Sequence, residues 1–263
     1  MSAEPLEGCV AFVTGASRGI GREIAVTFAE QGADVACTAR SEDAIAETAE
    51  MVRAEGGEAI AVPVDVTDEA AVAAAIEETV AELGGLDCLV NNAGGTGEVE
   101  PVHRLDPEAF TELQAVNVTG PMTCVKHAAE HLRESDRGSV VNIASIGGKR
   151  PYPNRAPYAA SKMGLIGLTR TLAFELGHDG VTVNAVLPGP VAGDRIEEVV
   201  AAQARLADVD HAHPVEFGEN DFALPDYVVE PREVAEQVAY LAGPHARHVT
   251  AKELGVDAGG TWY

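Results

Sequence analysis

The sequence reads Thr14-Gly15-Ala16-Ser17-Arg18-Gly19-Ile20-Gly21 directly after an apolar run of strand length, and a helical period begins at the end of this turn. The three glycines permit a tight turn and let backbone N–H groups approach an anion at the positive end of the helix. A strand, a glycine-rich turn and a helix in this order predict a site for the diphosphate of a dinucleotide, with an ordinary glycine-rich connection as the alternative. The predicted contacts are Gly15, Ser17, Arg18, Gly19, Ile20 and Gly21.

Strand-like and helix-like segments alternate along the rest of the chain. Short apolar runs predict strands at Val10–Thr14, Asp34–Ala39, Ala59–Val64, Leu86–Asn91, Ser139–Ala144, Val181–Leu187 and Leu254–Val256. Segments of helical period predict helices at Gly19–Gln31, Glu42–Glu55, Glu69–Leu83, Pro107–Leu132, Pro157–Leu176 and Pro231–Ala242. Because parallel strands need helical crossovers, the alternation predicts an α/β, doubly wound Rossmann fold: a seven-stranded parallel sheet with helices on both faces.

No linker divides the chain, so residues 1–263 are expected to form a single Rossmann-type domain for dinucleotide binding and catalysis. The stretch Ala207–Val229 has no clear period and is rich in His, Pro and acidic residues. We therefore expect a substrate loop, or lid, around residues 190–229 at the end of the sheet where the site lies.

The composition is strongly acidic, with 42 Asp and Glu against 18 Lys and Arg and a formal net charge of −24 over 263 residues. The acidic residues are spread along the chain, which predicts an acidic coat and argues against nucleic acid and anionic membranes as partners. Few of the basic residues are Lys, and a coat of this kind resembles proteins of salt-loving organisms, where salt screens self-repulsion. A halophilic source is the resulting hypothesis.

Three further features bear on location and cysteine chemistry. The apolar runs are much shorter than the roughly 20 residues of a membrane-spanning helix. Residues Ser2–Gly8 do not resemble a signal peptide, so a cytoplasmic protein is expected. The four cysteines include no C-x-x-C pair, which favours free buried thiols over disulfides or a zinc site.

Additional motifs follow the glycine turn in a fixed order. Asn91-Asn92-Ala93-Gly94 ends the fourth predicted strand, Leu187-Pro188-Gly189 ends the sixth, and Val256-Asp257-Ala258-Gly259-Gly260 follows near the C-terminus. With the spacing G-x-x-x-G-x-G of the turn, they resemble the short-chain dehydrogenase/reductase family over almost the whole chain. The resemblance implies further cofactor contacts at Asp65, Val66, Asn92, Ala93, Gly94, Tyr158, Lys162, Pro188, Gly189 and Val191. A threonine that the family usually carries after Pro-Gly is Gly193 here.

The end of the second predicted strand bears on which nicotinamide cofactor is used. A carboxylate there would bind the adenosine ribose and repel a 2′-phosphate. Ala39 stands where family members specific for NAD usually place Asp. Arg40 follows it, and Arg18 lies in the glycine turn, so that two guanidinium groups could hold a 2′-phosphate. We expect NADP(H), and NAD(H) is the alternative because Glu42 and Asp43 lie nearby.

The predicted reacting residues follow the fifth strand. Tyr158 and Lys162 are one helical turn apart, so the lysine ammonium can lie beside the phenol and favour its ionisation. By resemblance, Tyr158 exchanges a proton with the substrate oxygen during hydride transfer, and Ser145 holds that oxygen. Asn117, inside the predicted helix Pro107–Leu132, is implied to support a water chain from the lysine. The sequence has no G-x-S-x-G elbow, which argues against a triad hydrolase.

The substrate is less well defined by the sequence. Three basic residues, Lys149, Arg150 and Arg155, precede Tyr158. They could bind an anionic substrate such as a coenzyme A thioester, or they could pair with the acidic residues of Glu216–Asp226. The resemblance implies an NADP(H)-dependent reductase of 3-oxoacyl thioesters carried on coenzyme A or acyl carrier protein. A sugar or polyol dehydrogenase and a non-catalytic NADP-binding regulator are the alternatives.

Two further expectations concern assembly and metals. The Trp262-Tyr263 end and the predicted helices Pro107–Leu132 and Pro157–Leu176 resemble the surfaces by which family members form tetramers, so a homotetramer is expected. His211 and His213 lie close together in the predicted loop but have no companion ligand pattern, and no metal site is expected.

Overall fold

The computed structural model describes residues 4–207 and 221–261. Seven parallel strands form one sheet in the order β3-β2-β1-β4-β5-β6-β7. The strands are β1 Val10–Thr14, β2 Asp34–Ala39, β3 Ala59–Pro63, β4 Cys88–Asn91, β5 Ser139–Ile143, β6 Thr182–Pro188 and β7 Glu253–Val256. Strand order reverses between β1 and β4, and in an open parallel sheet this reversal leaves a crevice at the carboxyl ends of the strands. The predicted Rossmann fold is confirmed.

The described residues contain eight α-helices, which cover both faces of the sheet. They are α1 Gly19–Glu30, α2 Glu42–Ala54, α3 Glu69–Leu83, α4 Pro107–Gln114, α5 Gly120–Glu134, α6 Ala156–Leu176, α7 Asp194–Ala207 and α8 Pro231–Ala242. Alternate residues of β1 point to opposite faces, so Val13 packs with α1, α2 and α8 while Phe12 packs with α3, α5 and α6. Both apolar layers are buried, as expected for a parallel sheet.

The predicted long helix Pro107–Leu132 is present as a continuous helical run, but a π-helical turn interrupts its regular α-helical hydrogen bonding. Helix α4 ends at Gln114, a π-helical turn spans Ala115–Thr119, and α5 begins at Gly120. Pro121 explains the interruption: it has no N–H for the carbonyl of the residue four positions earlier, and its ring would collide with that carbonyl. Asn117 lies within this wider π turn, and its side chain reaches Gly95.

Helix α7 was not predicted and lies within the expected loop 190–229. Its Val199 and Ala204 are buried against the rest of the structure. Residues 221–228 form bends without helix or strand, and Val229 pairs with Val191 in an isolated parallel bridge. His211 and His213, together with Trp262 and Tyr263, lie outside the described residues. The other predicted bounds agree with the structure to within one or two residues.

The structure also bears on the state of the cysteines and on membrane-spanning helices. All four cysteines are buried free thiols, as expected, and burial raises the pKa of Cys9, Cys37 and Cys124 to about 12. In the part of the chain that the structure describes, no helix is both long and apolar enough to cross a membrane.

Candidate active site

A cleft of about 690 Å³ opens at the carboxyl ends of the strands, between the β1–α1 turn and α7. All but one of the predicted site residues line it: Gly15, Ser17, Arg18, Gly19, Ile20, Gly21, Arg40, Asp65, Val66, Asn92, Ala93, Gly94, Ser145, Tyr158, Lys162, Pro188, Gly189 and Val191. The exception is Asn117, which lies behind the lining. The topology therefore brings residues from the ends of six strands, β1 to β6, into one cavity large enough for a dinucleotide.

The glycine turn requires glycine for two reasons, namely positive φ angles and, at Gly15 and Gly21, close contact with neighbouring atoms. Gly15 and Gly19 have φ angles of +69° and +56°, which favour glycine. A Cβ on Gly21 would lie 2.2 Å from the Gly15 carbonyl oxygen and 2.3 Å from Nδ2 of Asn92. The first turn of α1 therefore sits directly on the backbone of the loop, and its backbone N–H groups face the cleft as a diphosphate site requires.

Thr14 and Asn92 hold the glycine turn to the end of β4. The Thr14 hydroxyl accepts hydrogen bonds from the backbone N–H groups of Asn92 and Ala93, each at 2.9 Å. In return, the Asn92 side-chain amide donates to the carbonyls of Thr14 and Gly15 at 2.9 and 3.1 Å. This reciprocal set fixes the relative position of the two loops that form the floor of the cleft.

Ser145 and Tyr158 meet on either side of Gly147. A Cβ on Gly147 would lie 3.1 Å from Cε1 of Tyr158 and 3.4 Å from Oγ of Ser145. The Ser145 hydroxyl accepts a hydrogen bond from the Gly147 backbone N–H at 3.0 Å, which orients it at the end of β5. The serine hydroxyl and the Tyr158 ring therefore lie on the same side of the cleft, next to Gly147.

Two cations flank the ring of Tyr158. Nζ of Lys162 lies 5.8 Å from the ring centroid, and Cζ of Arg155 lies 4.2 Å from it. Arg155 is buried and also lies 5.0 Å from the ring of Tyr152. The Tyr158 ring therefore lies between two basic side chains in the cleft.

Lys162 is held in place by the end of β5. Its ammonium donates a hydrogen bond to the Ile143 carbonyl at 2.8 Å, and its side chain is buried. Burial, together with a smaller effect of the positive charge of Arg195, lowers the pKa of Lys162 to about 7. The lysine can therefore gain or lose a proton in the neutral range.

Asn117 positions the backbone next to the lysine. Its side-chain oxygen accepts a hydrogen bond from the Gly95 N–H at 2.8 Å, and its amide donates to the Gly95 carbonyl at 3.1 Å. The same amide donates to Oγ of Ser161 on α6 at 2.9 Å. Asn117 therefore ties the loop after β4 to the helix that carries Tyr158 and Lys162.

The far end of the cleft carries guanidinium groups. Arg18, Arg40 and Ala39 line it, whereas the acidic residues Glu42 and Asp43 belong to the first turn of α2 and lie outside the lining. The pKa of Asp65 is lowered chiefly by hydrogen bonds from Thr67, with a smaller contribution from Arg40. Both guanidinium groups and the carboxylate of Asp65 therefore line the cleft.

The three basic residues before Tyr158 have separate roles. Lys149 donates to Glu253 at 2.8 Å, and Arg150 forms an ion pair with Asp221 at 3.3 Å. Neither Lys149 nor Arg150 lines the cleft. Arg150 pairs with an acidic residue of the expected stretch Glu216–Asp226, whereas the acidic partner of Lys149 lies outside that stretch. Arg155 alone lines the cleft.

Arg195 is the main site residue that the sequence reasoning missed. It belongs to the first turn of α7, lines the cleft, and donates through Nη2 to the Gly94 carbonyl at 3.0 Å. The neighbouring Asp194 forms an ion pair with Arg18 at 3.7 Å. The apolar spacing from Ile196 to Val199 was the available signal for this helix.

Among the described residues, no cluster of three or more His, Cys, Asp or Glu side chains could hold a metal ion.

Comparison with known proteins agrees with this geometry. Residues 9–204 match the family described as short chain dehydrogenase. The 3-oxoacyl-(acyl-carrier-protein) reductase of Staphylococcus aureus is 34% identical over 257 residues, covering 95% of this chain and 96% of that protein. A crystal structure of NAD⁺-bound xylitol dehydrogenase is 30% identical with a TM-score of 0.92, covering 97% and 99% of the two chains. A blue fluorescent protein from a metagenomic library, in complex with NADPH, is 35% identical with a TM-score of 0.85, covering 98% and 100%.

Proposed function

Because the chain belongs to the short chain dehydrogenase family, whose members act on alcohols and ketones, we propose that it reduces the ketone of a 3-oxoacyl thioester with NADP(H). The observation that carries the proposal is the convergence of Ser145, Tyr158 and Lys162 at one end of a cleft that has two guanidinium groups at the other end. A dinucleotide bound in this cleft could place its nicotinamide beside Tyr158 and its adenosine phosphate beside the guanidinium groups.

The mechanism follows from what each side chain can do. The bound nicotinamide supplies a hydride to the carbonyl carbon, or accepts one from the alcohol in the reverse direction. The phenol of Tyr158 donates a proton to the substrate oxygen, and its phenolate takes one back in reverse. The Ser145 hydroxyl donates a hydrogen bond to that oxygen as negative charge develops on it. Arg155 keeps a positive charge beside the phenol even where Lys162 is neutral.

The proposed cofactor preference rests on Arg18 and Arg40. Both line the adenosine end of the cleft, and position 39 carries no carboxylate there. The backbone of the glycine turn would hold the diphosphate, with further contacts from Asn92, Gly94 and Val191. Related structures hold NAD⁺ in one case and NADPH in another, so NAD(H) is the alternative cofactor.

We expect Arg40→Gln to weaken NADPH binding about ten- to a hundredfold and to leave NADH binding close to that of the wild type. A charge-assisted hydrogen bond contributes roughly 1.5–3 kcal/mol, and each 1.4 kcal/mol corresponds to about tenfold in Kd. Nicotinamide fluorescence titration measures both affinities, in dilute and in molar salt because the surface is strongly acidic. Equal effects on the two cofactors would show that Arg40 does not contact the 2′-phosphate.

We also expect proton uptake on cofactor binding near pH 8 and little near pH 5.5. In the free protein the pKa of Lys162 is about 7, so the lysine is mostly neutral at the higher pH and already protonated at the lower one. An anionic dinucleotide favours the ammonium form and raises this pKa, which draws a proton from the buffer. Calorimetry in buffers of different ionisation enthalpy measures the uptake. Lys162→Met should abolish it, and uptake that survives in this variant would assign the proton to another group.

The substrate proposal is tested by direct comparison. Arg155 places a positive charge in the cleft, which favours an anionic substrate, and one relative is a 3-oxoacyl-thioester reductase. A sugar or polyol dehydrogenase is the second candidate, favoured by the likeness to xylitol dehydrogenase. The assay follows NADPH consumption with acetoacetyl-coenzyme A beside NAD⁺ reduction with a panel of polyols. Turnover of polyols alone would replace the first candidate with the second.

The regulator alternative is disfavoured because Asn117, Ser145, Tyr158 and Lys162 are all present.

Assembly and location belong to the same proposal. We propose one domain over residues 1–263, with the segment 190–229 acting as a lid, in a cytoplasmic homotetramer from a salt-loving organism. Exposed apolar side chains support an interface on α5 and α6: Phe174 is 76% exposed, Met163 is 48% exposed and Met122 is 39% exposed. Exposed apolar groups on neighbouring helices are characteristic of surfaces that another subunit covers.

A further inference from the structure

Helix α7 brings a guanidinium group to the middle of the cleft. Arg195 donates a hydrogen bond to the Gly94 carbonyl at the end of β4, 3.0 Å away. The preceding residue, Asp194, pairs with Arg18 at the start of α1. The first turn of α7 therefore contacts both the glycine turn and the loop that follows β4.

The surroundings of Arg195 are rich in positive charge. Burial lowers its pKa most; the charges of Arg18 and Arg155 also lower it, whereas Tyr158 and Glu198 raise it. Within residues 4–206 and 221–261, Arg195 forms no ion pair, and it donates its hydrogen bond to the neutral Gly94 carbonyl. In a chain of net charge −24, a cleft that gathers several cations is suited to an anion.

The position of Arg195 along the cleft identifies the anion. Arg18 directly precedes the first residue of α1 on one side, and Tyr158 lies at the proposed reacting end on the other. In a dinucleotide the group between the adenosine and the nicotinamide halves is the diphosphate, and it lies at the N-terminus of the first helix. We propose that Arg195 is a cofactor-binding residue whose guanidinium covers the diphosphate from the α7 side. This inference rests on the proposed function, because it presumes that a nicotinamide dinucleotide binds.

The proposal assigns α7 a role in holding the cofactor. On binding, the guanidinium would exchange a neutral carbonyl for two charged phosphate oxygens, which form stronger hydrogen bonds. The backbone of the glycine turn holds the diphosphate from below, and Arg195 closes over it from above. Gly193 directly precedes the first turn of α7 and has a φ of +129°, a backbone conformation that favours glycine. A Cβ there would meet open space, so the φ angle rather than crowding favours glycine at the entry to α7.

The test uses cofactor fragments that differ in the diphosphate. ADP-ribose contains the diphosphate, whereas 2′-AMP contains adenosine and a 2′-phosphate only. We expect Arg195→Gln to raise the Kd of ADP-ribose about tenfold while leaving that of 2′-AMP unchanged, and Arg195→Lys to give a smaller rise. Arg205→Gln is the matched control, because Arg205 lies on the same helix, is exposed and donates to the Ala201 carbonyl of its own helix. Calorimetry gives the affinities, and thermal unfolding verifies that the variants remain folded.

The outcomes separate this inference from the proposed function. If the wild type binds ADP-ribose and Arg195→Gln binds it equally well, or loses 2′-AMP to the same extent, the inference is wrong and the proposed function stands. If the expected pattern appears but neither ketones nor alcohols react, the inference stands and the proposed reaction is wrong. If the wild type binds neither NADPH nor ADP-ribose, both are overturned.

Discussion

Replacing Tyr158 with Phe will lower kcat by about a thousandfold while cofactor affinity stays close to that of the wild type. General acid–base catalysis contributes roughly 10²–10⁴-fold to rate, and the phenol is the group placed to exchange a proton with the substrate oxygen. Phe keeps the ring between the two cations, with Arg155 at 4.2 Å and Lys162 at 5.8 Å from its centroid, so the local packing is retained. The hydroxyl alone is removed.

Steady-state kinetics with the best substrate, together with a separate NADPH titration, measures this effect. Tyr240→Phe removes the same hydroxyl from an exposed side chain on α8 and should leave kcat unchanged. A Tyr158→Phe enzyme that retains more than about a tenth of the wild-type kcat would show that another group transfers the proton, since so small a loss lies below the range for a general acid. Ser145 would then become the next residue to replace.

The parts of the site that could be predicted are those that depend on local sequence. The β1–α1 turn is recognisable because strand, glycines and helix are adjacent in the chain. The Tyr158–Lys162 pair is recognisable because residues four apart share a helix face. Parallel strands place their carboxyl ends at one edge, so the motifs that end β4 and β6 were expected to meet at the cleft.

The parts that could not be predicted depend on contacts between distant residues. Lys149 pairs with Glu253, more than a hundred positions away, and no spacing rule connects the two. Asn117 was expected inside a regular helix, but the π turn before Pro121 directs it toward Gly95 instead. Its role in holding that loop depends on contacts with Gly95 and Ser161, which hydrophobic periodicity does not reveal.

Arg195 shows the same limit at the cofactor site. The sequence predicts one loop over residues 190–229 because the second half of this segment has no hydrophobic periodicity. The helix α7 near its beginning is therefore missed. For an arginine in a predicted loop, the sequence does not predict which way the side chain points. Once α7 is present, the first helical turn directs Asp194 toward Arg18 and Arg195 toward Gly94, and two charged residues become part of the cleft.

Gly21→Ala is expected to have the largest effect on the cofactor site. Its new Cβ would lie 2.2 Å from the Gly15 carbonyl oxygen and 2.3 Å from Nδ2 of Asn92, which real atoms cannot tolerate. The turn must move, and the Asn92 amide must release the carbonyls of Thr14 and Gly15. We expect unfolding free energy to fall by about 1–3 kcal/mol, the usual cost of overpacking.

The same displacement should weaken NADPH about a hundredfold or more, because losing two charge-assisted hydrogen bonds to phosphate costs roughly 3 kcal/mol. Fluorescence titration and denaturant unfolding measure the two effects. Gly177→Ala is the matched control: its φ is −64° and a Cβ there would meet open space, so stability should be unchanged or slightly raised. If Gly21→Ala bound NADPH as tightly as Gly177→Ala, the glycine turn would not be the wall that holds the diphosphate, and the binding residues would have to be sought on the α7 side of the cleft.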